Sequence, residues 1–400
     1  MSRPEKLAVD GGSPVRETLL PYGHQSIDDE DVEEVVAALR SDWLTTGPLV
    51  ERFESEFARK VGAKHAVACS NGTAALHLAY AAAGLKAGDE ALVPPITFAA
   101  DANMLLLLGA KPRFVDVDRG SMLIDSLAAA KAAGRRTKAL VAVDYTGQPC
   151  DYDEMRKVCE KKRLVLIADA CHALGGSWNG RPVGTLADLN VFSFHPVKHV
   201  TTGEGGMITT DDDAKAARMR VLRNHGITTD FRKREERGTW KYEVAELGHN
   251  YRLTDMQCAL GLSQLRKLDD SVKRRREIAK RYDREFAGGG AVEPLEVKPG
   301  AEHAYHLYVV KLAEGRWKRS RDEVYRALRA EGIGVNVHYA PIHLHPLYRR
   351  MLKTKEGMCP VAEREGERIL TLPLYPGMSD GDVGEVVEAV DKVNAVYGKT

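Results

Sequence analysis

The sequence predicts an α/β protein in which a mainly parallel sheet, sheathed by helices, forms a large domain and a smaller α+β domain follows. Three observations carry this expectation. Between Ala66 and Thr210 short apolar runs alternate with helix-like stretches, as in strands joined by crossover helices. A helical periodicity then runs from Thr254 to about residue 287 and stops at Gly288-Gly289-Gly290, a run that must break it. Finally, 400 residues exceed what one small core organises, so two cores are expected.

Taken in order, Ser26 with Asp29 forms a capping-box pattern. Ile27, Val32, Val35, Val36 and Leu39 then recur at helical spacing, which predicts an amphipathic first helix. Strands are expected at residues 66–69, 91–94, 113–117, 139–143, 164–168, 191–194 and 207–210, with helices such as 74–83 and 151–161 between them. The large domain is expected to cover 1–265 and the small one 266–400, joined by a long helix from about 254 to 287. The small domain should hold strands at 306–312, 334–338 and 369–374, and helices at 321–330 and 379–397. Residues 229–241, charged and turn-rich, read as a mobile loop or a plain solvated excursion.

Composition narrows the partners. With 44% apolar and 29% charged residues and a net charge of +1, no broad field gathers nucleic acid or a membrane surface. Small molecules or copies of the chain remain as partners. Residues 1–16 lack the apolar centre of a signal peptide and no apolar run approaches the ~20 residues that span a bilayer, so a cytoplasmic location is expected. Six cysteines without a C-x-x-C pair read as reduced, mostly buried thiols. His338, His343 and His345 lack a carboxylate or cysteine partner and sit among Pro341 and Pro346, so no metal is expected. The basic run Lys273-Arg274-Arg275-Arg276 reads as a solvated helix face.

The chemistry gathers at strand ends. Ser193-Phe194-His195-Pro196-Val197-Lys198, followed by Thr201-Thr202-Gly203-Glu204-Gly205-Gly206, pins a lysine at a ligand-facing edge. An imine-forming lysine must be neutral near pH 7, which desolvation beside positive charge achieves. Asp169 closes an apolar strand and can keep a pyridine nitrogen protonated; His172 can pack against the same ring or bond its phenolic oxygen. Ser70-Asn71-Gly72-Thr73 runs from a strand into a helix whose unpaired amides and dipole attract phosphate, and Ser193 offers another hydroxyl. Phe98 can lie flat on the ring. Singly, each feature has an ordinary reading as a solvated lysine, a helix cap, a structural histidine or a core phenylalanine. Their combination is what argues for a site.

Together these segments resemble the DegT/DnrJ/EryC1/StrS family of sugar aminotransferases. The likeness runs from Leu44-Thr45-Thr46-Gly47-Pro48 through Pro95-Ile96-Thr97-Phe98, Asp169-Ala170-Cys171-His172-Ala173 and the Lys198 segment to Arg223-Asn224-His225-Gly226, Asn250-Tyr251-Arg252 and His338-Tyr339. The resemblance implies the fold-type I architecture of aspartate aminotransferase and pyridoxal 5'-phosphate as cofactor. It implies Lys198 as the imine lysine, Asp169 on the pyridine nitrogen, Gly72, Thr73 and Ser193 around the phosphate, and Phe98 or His172 against the ring. It also implies that Asn250 reaches the phosphate of a neighbouring subunit's cofactor, which makes a homodimer with shared sites. Within the family, the Lys198 segment and Leu260-Gly261-Leu262-Ser263-Gln264-Leu265 look most like the pseudaminic-acid branch. That branch implies L-glutamate as donor and C4 of a UDP-linked 4-keto-6-deoxy-N-acetylhexosamine as acceptor. Nucleotide-linked keto-sugars of the perosamine, bacillosamine or aminoarabinose type remain alternatives. Tyr22, Arg232, His338 and Tyr339 are the expected substrate contacts. Sugar dehydratases of the family carry histidine where Lys198 stands, which argues against dehydration.

Overall fold

Seven apolar runs pair into one sheet in the computed structural model, which describes residues 6–229, 231–236, 238–288 and 290–399. The strands are β1 (His65–Cys69), β2 (Glu90–Val93), β3 (Lys111–Phe114), β4 (Thr137–Val143), β5 (Val165–Asp169), β6 (Leu189–Ser193) and β7 (Gly206–Thr210). Their order is β1-β7-β6-β5-β4-β2-β3. Every pair is parallel except those of β7, which runs antiparallel to both β1 and β6. Helices on both faces bury most of the strands, which read as continuous apolar runs, while the edge strand β3 alternates, with Lys111 and Arg113 exposed.

Register decides what meets at the sheet's carboxyl edge. Asp169 pairs with Val143 on one side and Val191 on the other, and Gly206 lies opposite both Cys69 and Ser193. A Cβ at Gly206 would stand 2.5 Å from the Asn71 carbonyl oxygen, so only glycine lets the chain pass there. The helix α3 (Gly72–Ala82), third after α1 (Asp29–Leu39) and α2 (Pro48–Val61), starts at the same edge.

Two helix expectations are corrected. The box that starts α1 is Asp28 with Asp31, each side chain accepting from the other's amide at 3.1 Å, rather than Ser26 with Asp29. Gln264 selects it by donating to the Ser26 carbonyl and to the Asp31 carboxylate at 2.9 and 2.7 Å. The single helix expected over 254–287 is two, α4 (Asp255–Arg266) and α5 (Leu268–Glu285), parted at Lys267. The first packs on α1 and α2, the second on the C-terminal helix Asp380–Tyr397, and one straight rod cannot serve both. Gly289 lies outside the described residues.

The C-terminal part builds a three-stranded antiparallel sheet, β8 (Val292–Pro294), β9 (Tyr308–Leu312) and β10 (Ile369–Leu372), in the order β8-β9-β10. Helices Arg321–Ala330 and Asp380–Tyr397 contribute to its apolar cluster, which also takes in Leu7 and Leu20. The strand expected at 334–338 shrinks to Ile333–Gly334, paired with Leu20–Pro21. Beyond it Asn336 exchanges backbone bonds with Thr371, and the chain turns towards the large sheet. Residues 229–241, expected as a loop, contain the helix Phe231–Glu236, a run of good helix formers; Asp230 and Arg237 lie outside the described residues. No helix among the described residues is long and apolar enough to cross a membrane.

Candidate active site

Lys198 follows β6 in a loop that one buried residue fastens. The Phe194 amide donates to the Gly205 carbonyl at 2.8 Å, and its carbonyl accepts from Thr202 N at 3.1 Å and Thr201 Oγ1 at 3.2 Å. The Phe194 ring packs against Phe53 and Phe57, with centroids 5.3 and 5.6 Å apart, and a turn bond from Lys198 N to the His195 carbonyl completes the hold. The amine therefore leaves a rigid base at the sheet edge.

Around it lies a cavity of about 420 Å³. Of the predicted residues, Tyr22, Gly72, Thr73, Phe98, Asp169, His172, Ser193, Lys198, His338 and Tyr339 all line it. At one end Asn71 caps α3, its side chain accepting from Ala74 N at 2.8 Å. The amides of Gly72 and Thr73 have no partner among the described residues. Unpaired amides on a helix N-terminus beside the Thr73 and Ser193 hydroxyls form an anion cradle. A Cβ at Gly72 would come within 2.9 Å of Ser193 Cβ. Asp169, 8% exposed, is oriented by the Cys171 amide at 3.1 Å. The rings of His172 and Tyr339 stack at 6.2 Å, and the Tyr339 hydroxyl meets His172 Nε2 at 3.4 Å. Phe98 stands exposed at the mouth, 6.1 Å from Tyr339.

Burial dominates the electrostatics. It pushes the Lys198 amine below its usual range, with Arg275 adding to the effect and the Asp169 charge opposing it. His338 is held down at about 4 and His172 far below its ordinary value, both chiefly by burial. Behind Asp169, burial and then the Asp169 charge raise the Asp101 carboxyl well above the normal range. Thr97 and Tyr80 donate to it at 2.5 and 3.0 Å.

Arg232 and Asn250 are not brought to this cavity. Arg232 pairs with Glu51 and lines a separate hollow. Asn250 is exposed, its backbone bridged to Asn224. Among the described residues no group of three ligand-type side chains could hold a metal; His343 bonds Glu363 and His338 bonds Thr371. Conversely, His306, Thr97 and Asp101 were missed. A polar Asp101 within the apolar stretch 100–108 was a legible signal, as was a histidine opening the predicted strand 306–312.

A lysine that burial drives towards neutrality, facing a carboxylate and flanked by an open helix N-terminus, suits pyridoxal phosphate. The donors match a phosphate, Asp169 matches the ring nitrogen, and the buried His172 Nδ1 has no partner among the described residues. Fold and site together define a pyridoxal-phosphate-dependent aminotransferase. The chain belongs to the DegT/DnrJ/EryC1/StrS aminotransferase family, whose model matches residues 25–391. It is 43% identical over 378 residues to the spore coat polysaccharide biosynthesis protein SpsC of Bacillus subtilis, covering 94% of this chain and 97% of that one. Helicobacter pylori PseC, an aminotransferase of pseudaminic acid biosynthesis, superposes with a TM-score of 0.89 at 32% identity, covering 95% of this chain and 100% of that one. Spr1654 of Streptococcus pneumoniae in its PLP-form gives 0.88 at 32% identity, covering 94% and 99%.

Proposed function

We propose that the enzyme moves the amino group of L-glutamate to C4 of a UDP-linked 4-keto-6-deoxy-N-acetylhexosamine, giving a UDP-4-amino-4,6-dideoxy-N-acetyl-β-L-altrosamine type product. In this reading it acts as a homodimer with shared sites in the cytoplasm. The observation that carries the chemistry is the Lys198 amine, driven towards neutrality on a rigid loop in one cavity with Asp169 and the anion cradle. Likeness to PseC supports the sugar. Likeness to SpsC supports a second reading, another nucleotide-linked keto-sugar destined for polysaccharide.

When bound, pyridoxal phosphate supplies an aldehyde carbon for amines and a protonated ring that draws electrons from the substrate carbon. The protein's own groups then divide the work. The Gly72 and Thr73 amides and the Thr73 and Ser193 hydroxyls hold phosphate, while the Asp169 carboxylate accepts from the ring N–H. Phe98 and His172 confine the ring. With the cofactor bound, the neutral Nζ of Lys198 would carry a proton from the donor's carbon to the cofactor in one half and from the cofactor to the acceptor's carbon in the other, so both halves would use one site and ping-pong kinetics follow. Tyr22, His338 and Tyr339 line the remaining cavity wall, where the sugar would sit. Asn250, exposed on its own chain, is available to a partner's cofactor.

Borohydride treatment of the loaded enzyme followed by peptide mapping should place the label on Lys198, and Lys198→Ala should lose at least about 10²-fold in turnover. A label on another lysine ends the assignment. The sugar is tested by comparing kcat/KM for UDP-, dTDP- and GDP-linked 4-keto-sugars with glutamate: a GDP- or dTDP-linked substrate used best would favour the second reading.

A further inference from the structure

Among the described residues Lys198 Nζ has one hydrogen-bond partner, His306 Nε2 at 3.3 Å. His306 precedes β9, is 5% exposed, and lies against the His172 ring with centroids 4.4 Å apart. Its other nitrogen, Nδ1, is buried and has no partner among the described residues. A neutral imidazole carries its proton on one nitrogen only. Were it on Nδ1, a buried N–H would be orphaned, and such donors are rarer in folded proteins than under-satisfied acceptors. On Nε2 the proton lies between the ring and the lysine, where the lone pair of a neutral amine accepts it. We propose that His306 is a positioning residue of this enzyme, its Nε2–H donating to the Lys198 amine and so parking that amine, neutral and oriented, whenever it is free.

The surroundings agree. Arg275, 2% exposed, donates to the carbonyls of Tyr305 and His306 at 3.2 Å and of Leu374 at 3.1 Å. It has no carboxylate within ion-pair distance among the described residues. It thus fixes the backbone that bears the His306 ring and leaves an uncompensated positive charge that disfavours both an ammonium at Lys198 and an imidazolium at His306. Against this stands Asp169, which favours the ammonium. His172, His199 and His338 are held neutral by burial. Glu204 lines the same cavity, and His24, Lys267 and Asp270 line the hollow on the far side of Lys198. At 3.3 Å the contact is longer than the usual 2.9–3.0 Å, so it holds the amine without trapping it.

The idea rests on Lys198 being the reactive amine, yet its test needs no bound cofactor. Full-length, cofactor-free protein carrying ¹⁵N-histidine should show one ring, absent from the spectrum of His306→Gln, with Nε2 protonated and Nδ1 bare. In parallel, the rate at which acetic anhydride labels Lys198, followed by mass spectrometry against pH, reports the neutral fraction. The glutamine amide can still donate, whereas the side chain in His306→Leu cannot, so at pH 7 His306→Leu should label roughly 10-fold more slowly than His306→Gln, a shift of about one pH unit. A proton on Nδ1, or a His306→Leu protein labelled at least as fast as His306→Gln, overturns the proposal. Borohydride mapping to a different lysine would instead overturn the assignment beneath it.

Discussion

Gly72 shows how little room the cradle leaves. Its backbone is ordinary helix, so alanine is conformationally welcome there. The cost is purely steric, a Cβ 2.9 Å from Ser193 Cβ and 3.2 Å from its hydroxyl oxygen. Gly72→Ala should push the Ser193 hydroxyl out of line and weaken cofactor binding about 10-fold, or ~1.4 kcal/mol, while the same overpacking lowers the melting temperature of the cofactor-free protein. Titration of cofactor absorbance measures it, and an unaltered affinity would show that Ser193 does not touch the phosphate. At this scale Lys198, Asp169 and Thr73 were legible because each sits beside the end of a strand or the start of a helix, a position local pattern reveals. His306 was not. Its meeting with Lys198 depends on how β9 seats against a loop more than 100 residues away, and no periodicity encodes that. Arg232 lies away from this cavity on its own chain, paired with Glu51, and local pattern encodes neither that placement nor that partner.

Elements were easiest to read where burial is complete. All seven strands of the large sheet fall within a few residues of expectation, most because a strand covered on both faces must be apolar throughout, although the edge strand β3 alternates exposed and buried residues. Helix ends were harder. The acid run Asp28-Asp29-Glu30-Asp31 offers several equivalent local boxes, and only Gln264, distant in sequence, chooses among them. The break at Lys267 was invisible since apolar spacing continues through it. A further distant cap starts α2: the fully buried Asp255 carboxylate accepts from Gly47 N at 2.7 Å and Leu49 N at 3.0 Å, while Thr254 caps Asp255's own helix with Gln257. Asp255→Ala should therefore strand two amides at once and lower stability by about 2–3 kcal/mol, read as a fall in the urea midpoint. Asp255→Asn, which keeps one acceptor, should lose less. Equal losses from both would mean that shape rather than hydrogen bonding holds the junction.

For the whole molecule, the exposure of Asn250 on its own chain makes a shared site testable. Lys198→Ala and Asn250→Ala proteins, each impaired alone, should recover up to roughly a quarter of wild-type activity when refolded together, because half the dimers then hold one intact site. Absence of recovery would mean that Asn250 does not serve the partner's site. A second global property follows from buried histidines. Burial is the leading cause holding His77 and His338 at about 4, His303 at about 3, and His172, His199 and His306 well below their ordinary value of 6.5. Released by unfolding, these rings protonate near 6.5. Below that pH the unfolded chain binds more protons than the folded one, so stability rises with pH across the window and is lost as pH falls from 6.5 towards about 4. Each ring contributes at most about 1.4 kcal/mol per pH unit. Asp144, raised to about 8, and Asp101, raised well above normal, work the other way, since they hold protons when folded that the unfolded chain releases above 3.8. Burial raises Asp283 and Asp391 as well, but the six imidazoles outweigh the four carboxyls, and the melting temperature should drop steadily between pH 6.5 and 4. His303 accepts from the Tyr305 amide at 2.8 Å and meets Thr146 Oγ1 at 3.1 Å, so His303→Gln should keep some of those bonds while making the slope shallower by up to one proton. A slope unchanged in that variant, or stability that climbs on acidification, would mean that the buried rings are not what sets the acid limit of the fold.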